Sequence, residues 1–174
     1  MRLLPETDTE RDRPSDSSSA SPRLERVREG AVGGFVATLV MTAYRLPISR
    51  SLPPTARFWA TYVGGGDEDD YPVQALVLHL LYGTIGGAAF GAMGALLDVT
   101  PSDDPDTEAR REEVGLLAGV GYALALSMFG ERVVLRRLLG MDPDPDESLV
   151  FHVGHVVYGL TLGTWVGSRS SDGE

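Results

Sequence analysis

Four stretches of this chain contain no charged residue: Gly30 to Tyr44, Pro72 to Leu97, Val114 to Gly130 and Leu149 to Gly167. A helix that crosses a bilayer needs about 20 apolar residues, within a range of roughly 17 to 25. The second and fourth runs meet that length as they stand. The first is extended past Arg45 by Leu46-Pro47-Ile48, and the third past Glu131 and Arg132 by Val133-Val134-Leu135. The pattern predicts an all-α, four-transmembrane-helix bundle with helices over about 30–48, 72–97, 114–135 and 149–167. That makes the chain a multi-pass protein of the cell membrane whose first partner is the lipid bilayer.

Within the second and fourth runs one frame occurs twice, His-x-x-Tyr-Gly-x-x-x-Gly-x-x-x-Gly. Residues four apart on a helix share a face. His79, Gly83, Gly87 and Gly91 therefore form one line, and His155, Gly159, Gly163 and Gly167 another. The other two runs carry small residues in the same rhythm: Gly30, Gly34, Thr38 and Thr42, then Gly115, Gly119, Ala123 and Ser127. Lipid gives helices no hydrophobic reason to associate, so close backbone approach along such stripes must hold them together. The order of stripes predicts two tandem helical hairpins, an internal repeat with both halves in the same orientation. Parallel halves put His79 and His155 at equal depth, each about seven residues, or roughly 10 Å, inside its helix. Arg45, His79, Glu131, His152 and His155 are then expected in one slab near a single membrane face.

Charge is concentrated outside these runs. Residues 1–28 are rich in Ser, Pro, Asp, Glu and Arg and cannot bury enough apolar area to offset ordering, so they are expected to be a disordered tail. A helical membrane domain over 29–168 and a polar C-terminal tail over 169–174 follow. Arg57-Phe58-Trp59-Ala60-Thr61-Tyr62 has the aromatic character of a membrane boundary. Arg132 to Leu139 reads either as a basic surface turn or as an extension of the third helix. Asp98 to Glu113 reads as an acidic loop. Arginines near helix ends divide equally between the two sides, so they do not set the orientation.

The formal net charge is −10, and all 15 basic residues are arginine. This acidic, lysine-free composition points to a halophilic cytoplasm, where carboxylate-rich loops keep a surface hydrated although salt screens charge to about 3 Å at 1 M. It argues against a nucleic-acid partner, which needs a basic face. Absence of cysteine excludes disulfides and thiolate chemistry.

The chemistry on offer is sparse. Histidines at equal depth can act as axial ligands to haem b, or hold a divalent metal with His152 and Glu131 completing the set. They can also serve a proton or ion relay. The alternative is structural: His79, His155, Tyr82 and Tyr158 bond a neighbouring helix and fix register, while Arg45 and Glu131 reach for the interface. No Ser-His-Asp spacing, phosphate loop or zinc-protease motif is present, so no enzyme activity is expected and no resident cofactor is required.

Glu29 to Thr42, followed by a Pro-rich connection and the His-x-x-Tyr-Gly-x-x-x-Gly helix, resembles the YagU-like group of small integral membrane proteins of halophilic archaeal type. The resemblance covers about residues 29–167. It implies a four-helix membrane protein and assigns no catalytic residue. The sequence is best read as a structural or accessory component, with a homo-oligomer or a membrane complex as the wider partner.

Overall fold

The structure is a computed structural model in which residues 21–48, 52–96 and 105–169 are described. The disorder expected for residues 1–20 and the polar tail beyond residue 169 lie outside them. All regular elements among the described residues are helical. They are α1 (Pro22–Arg45), α2 (Thr55–Trp59), α3 (Pro72–Leu96), α4 (Pro105–Phe129) and α5 (Pro145–Arg169). Each of the four long helices begins with proline, whose fixed φ and missing N–H suit the first helical turn. Asp144 caps α5, its carboxylate accepting from the backbone N–H groups of Asp146 and Glu147 at 2.9 Å. Part of the acid in the connections is thus explained by capping.

Three expected boundaries change. Residues 22–28, read as tail, form the first two turns of α1, started by Pro22 and followed by Glu25 in the first turn. Residues 105–113, read as loop, form the start of α4 for the same reason. The segment after α4 is an extension of it: Gly130–Leu138 continues as a π-helix and ends at Gly140, whose φ of 61° is left-handed. The first connection carries α2, continued as a π-turn over Ala60–Gly64.

Among the described residues three helices are long and apolar enough to cross a membrane: Pro72–Ala95, Glu112–Leu138 and Pro145–Arg169. Four were expected, and α1 is the exception. Arg23, Glu25, Arg26, Arg28 and Glu29 occupy its first two turns, which leaves the 15 residues from Gly30 to Tyr44 free of charge. At 1.5 Å per residue that is about 22 Å, short of a hydrocarbon core of about 30 Å.

The glycine seams do not pack on each other. Each packs on the small-residue stripe of its own hairpin, α1 on α3 and α4 on α5. Gly30 faces Gly87 and Gly91, and Gly34 faces Gly83 and Gly87. In the second pair Gly115 faces Gly163 and Gly167, and Gly119 faces Gly159 and Gly163. Both pairs run antiparallel. A Cβ on Gly87 would fall on the Gly30 carbonyl oxygen and 2.6 Å from the Gly34 Cα, so backbone meets backbone with no side chain between.

The hairpins dock through α1 on α5. Gly33 receives Leu162 and Trp165, and Met41, Tyr158 and the fully buried Leu162 join Phe90 in the small core. Among the described residues no equally close contact joins α3 to α4. Tyr122 spans that side instead, stacking on Phe90 at 5.3 Å and donating to the Gly86 carbonyl at 2.8 Å.

Outward faces are apolar. Val73, Val77, Leu81 and Ile85 form an exposed stripe at four-residue spacing on α3, while the helix pairs meet through glycine, alanine, threonine and serine around a small core of larger residues. No more than 33 % of any candidate span is buried. Small residues at the helix–helix contacts and large apolar ones outside suit lipid on the outer surface.

Candidate functional site: a chamber between the hairpins

Because α3 and α4 stand apart, a cavity of about 310 Å³ opens between the hairpins at the histidine end. Arg45 comes from the last residue of α1, His79 and Tyr82 from α3, and His155 and Tyr158 from α5. The two connections also contribute: Thr55 and Phe58 from α2, Leu135 and Leu138 from the π-helix. Tyr62 donates to the Leu138 carbonyl at 2.8 Å and so ties one connection to the other. Thr55 anchors α2 to α3 by donating to the Ala75 carbonyl at 2.7 Å. Apolar side chains make up most of the wall.

The expected slab divides in two. Arg45, His79 and His155 share the chamber. Glu131 and His152 pair with each other elsewhere, the His152 Nε2 lying 2.7 Å from a Glu131 carboxylate oxygen. Ser148 donates to the same carboxylate at 2.7 Å and Arg136 at 3.0 Å. The four-ligand set of His79, His155, His152 and Glu131 is therefore not assembled. Among the described residues no group of three or more His, Cys, Asp or Glu is placed to hold a metal ion. The physical reason is helical phase: three residues separate His152 from His155, which turns their side chains about 60° apart. Each then follows a different neighbour.

His155 is buried and its Nδ1–H donates to the Phe151 carbonyl at 2.9 Å. A carbonyl can only accept, so the neutral ring keeps its lone pair on Nε2. Phe151 also stacks on this ring at 4.4 Å. Tyr158 donates to the Gly83 carbonyl at 2.7 Å and so bridges the hairpins from α5 to α3. Tyr82, its counterpart in the repeated frame, is half-exposed on the chamber wall. Equivalent letters thus take different roles.

Sequence spacing did not suggest the chain Ser127, His152, Glu131. The His152 Nδ1 lies 2.9 Å from the Ser127 hydroxyl, which itself donates to the Leu124 carbonyl at 2.9 Å. The residue types are those of a hydrolytic triad, but the ring is reversed, with Ser127 at Nδ1 and Glu131 at Nε2. Ser127 is fully buried and its hydrogen is committed to Leu124, so no nucleophile is presented. What the chain does is lock α4 to α5. A signal for it existed in the small-residue stripe, since a serine at a tight interface needs a local acceptor.

Tyr158→Phe should lower stability by about 1 kcal/mol, the net worth of one hydrogen bond. Thermal unfolding in detergent reads this, and Tyr122→Phe should behave alike. A cost near zero at both positions would mean that the hydroxyls do not join the hairpins.

Comparison of the chain with family models, with curated proteins and with solved structures finds no match.

Proposed function

We propose that the chain is a multi-pass membrane protein of four helices, built as two repeated hairpins, that serves as an accessory component with a binding chamber between its halves. The single observation behind this is the exposure of large apolar side chains: Val, Leu and Ile stripes face outward, while the helix pairs meet mainly through glycine and other small residues. In water that arrangement exposes far more contiguous apolar surface than a soluble monomer tolerates. In lipid it is favourable. The α1 helix would run beside α3 through the hydrocarbon, with Arg26 at its start donating to the Gly94 carbonyl at 3.2 Å. The likeness to the YagU-like group and the salt-adapted composition belong to the same proposal.

After cell disruption the protein should stay with the membrane pellet through high-salt and carbonate washes and leave it only with detergent. Extraction without detergent would overturn the membrane assignment.

A histidine-ligated cofactor is the second reading, favoured by one observation: His79 and His155 line the same chamber. Purified protein would then show a visible absorption band or stoichiometric metal, either of which His79→Gln and His155→Gln both remove. A colourless, metal-free protein with unchanged stability in those variants would return both histidines to packing.

A further inference from the structure

We infer that the chamber binds an anionic amphiphile, a single apolar chain whose carboxylate or phosphate head pairs with Arg45. This rests on the membrane-chamber reading above and adds the ligand's chemistry to it. The strongest observation is a mismatch at Arg45. Its Nη1 is enclosed and has no hydrogen-bond partner among the described residues. Glu147 influences the guanidinium only through space, without an ion pair. Arginine cannot shed its charge, so burial does not neutralise it as it would a lysine. Arg45 is half-buried, but an enclosed guanidinium N–H without an acceptor is unfavourable, and an oxyanion in contact with it removes the penalty.

The rest of the wall fits the rest of such a molecule. Met41, Leu78, Leu126 and Val134 present hydrocarbon to the cavity. A volume of about 310 Å³ is at the small end for ligand pockets, which suits one chain better than two. Arg45 ends its helix, beside connections with the aromatic and basic residues of a membrane–water boundary. There a head group could sit while its chain points into the chamber. The planar guanidinium fork matches carboxylate and phosphate alike, so both sources share one chemistry.

Equilibrium dialysis of the detergent-purified full chain against labelled palmitate, hexadecyl phosphate, hexadecanol and inorganic phosphate tests this. Palmitate or hexadecyl phosphate should bind one per chain, at least about tenfold tighter than hexadecanol, from the added charged hydrogen bonds. The tighter of the two anions identifies the source as a fatty acid or a phosphate-headed lipid. Inorganic phosphate alone should not bind, since it has no chain to bury. Arg45→Gln should reduce both anions to the level of hexadecanol, and Arg45→Lys should keep part of the preference. Hexadecanol binding by Arg45→Gln shows that the chamber is still folded. Equal binding of hexadecanol and the anions, or an anion preference that survives Arg45→Gln, would overturn the head-group assignment while leaving the chamber. Failure of every chain-bearing probe would overturn the chamber reading itself.

Discussion

Gly87→Ala should destabilise the bundle by about 3 kcal/mol, the upper end of the cost of overpacking. Gly94→Ala, two turns further along the same helix, should be neutral or stabilising by up to about 1 kcal/mol. Both substitutions add one methyl group to α3. At Gly94 an added Cβ meets nothing within 4 Å, so only the intrinsic preference of a helix for alanine remains. At Gly87 it meets the Gly30 carbonyl and lies 2.7 Å from the Gly34 nitrogen. These are backbone atoms of a helix, and they cannot rotate away. Relief would require α1 and α3 to separate along their whole contact, which forfeits the dispersion contacts that hold helices together in lipid. Gly163→Ala should repeat the result in the second hairpin, where the Cβ would lie 2.5 Å from the Gly115 carbonyl and 3.0 Å from the Leu116 Cα. Thermal unfolding followed by circular dichroism in one detergent ranks the three variants. Equal melting temperatures for Gly87→Ala and Gly94→Ala would falsify the close-packed interface.

That contrast shows how much of the architecture the residues themselves announce. Glycine in a helix costs stability relative to alanine, so glycines repeated every four residues need a compensating reason, and close packing supplies it. The faces of Gly30, Gly83, Gly87, Gly115 and Gly159 are legible for that reason. Which face meets which is not a matter of composition. Each seam takes the stripe of its own hairpin, although the connection from α1 to α3 is much longer than the one from α3 to α4. The candidate site was legible in part. Arg45, His79 and His155 share a wall because helix ends at one face converge. Glu131 and His152 leave the group because Ser148, Arg136 and Ser127 offer them hydrogen bonds elsewhere. Tyr122 carried only the general signal that a tyrosine in an apolar run needs an acceptor; that the acceptor is the Gly86 carbonyl depends on the tertiary arrangement.

The repeated frame also explains where the two hairpins cease to be equivalent. In the first copy the position three residues after the leading glycine is Gly86, and in the second it is Leu162. Leu162 fills the contact between α5 and α1, where Gly33 leaves room for it. At Gly86 the corresponding place on α3 is taken by tyrosine: a Cβ there would lie 3.2 Å from the Tyr158 hydroxyl, and the hydroxyl of Tyr122 reaches the Gly86 carbonyl. One side of the bundle is closed by a leucine and the other is spanned by tyrosines. The chamber lies on the spanned side, and Gly86 is among the residues that line it.

Leu162→Ala should therefore cost about 2–5 kcal/mol, the range for a buried leucine truncated in a packed core. Leu162 is 0 % exposed, and the neighbours that could collapse into the gap are constrained: Tyr158 is held by Gly83, and the α1 backbone is held against α3 by its glycines. The loss should appear as weakened docking of the hairpins rather than as unfolding of either. In hydrogen exchange, protection would fall at Ala37 and Met41 on α1 and be retained at Gly87 and Gly119 within the hairpins. A double-mutant cycle sharpens the test. A Cβ on Gly33 would lie 3.1 Å from the Leu162 Cδ1 and 2.7 Å from the Trp165 Cδ1, both of them side-chain atoms. Gly33→Ala should consequently cost less than Gly87→Ala, and less again in the Leu162→Ala background, where part of the obstruction is gone. Contacting residues couple in this way, and distant ones add independently. Strict additivity of Gly33→Ala and Leu162→Ala would mean that α1 and α5 do not meet at this point, and the chamber that their contact closes on one side would lose its wall.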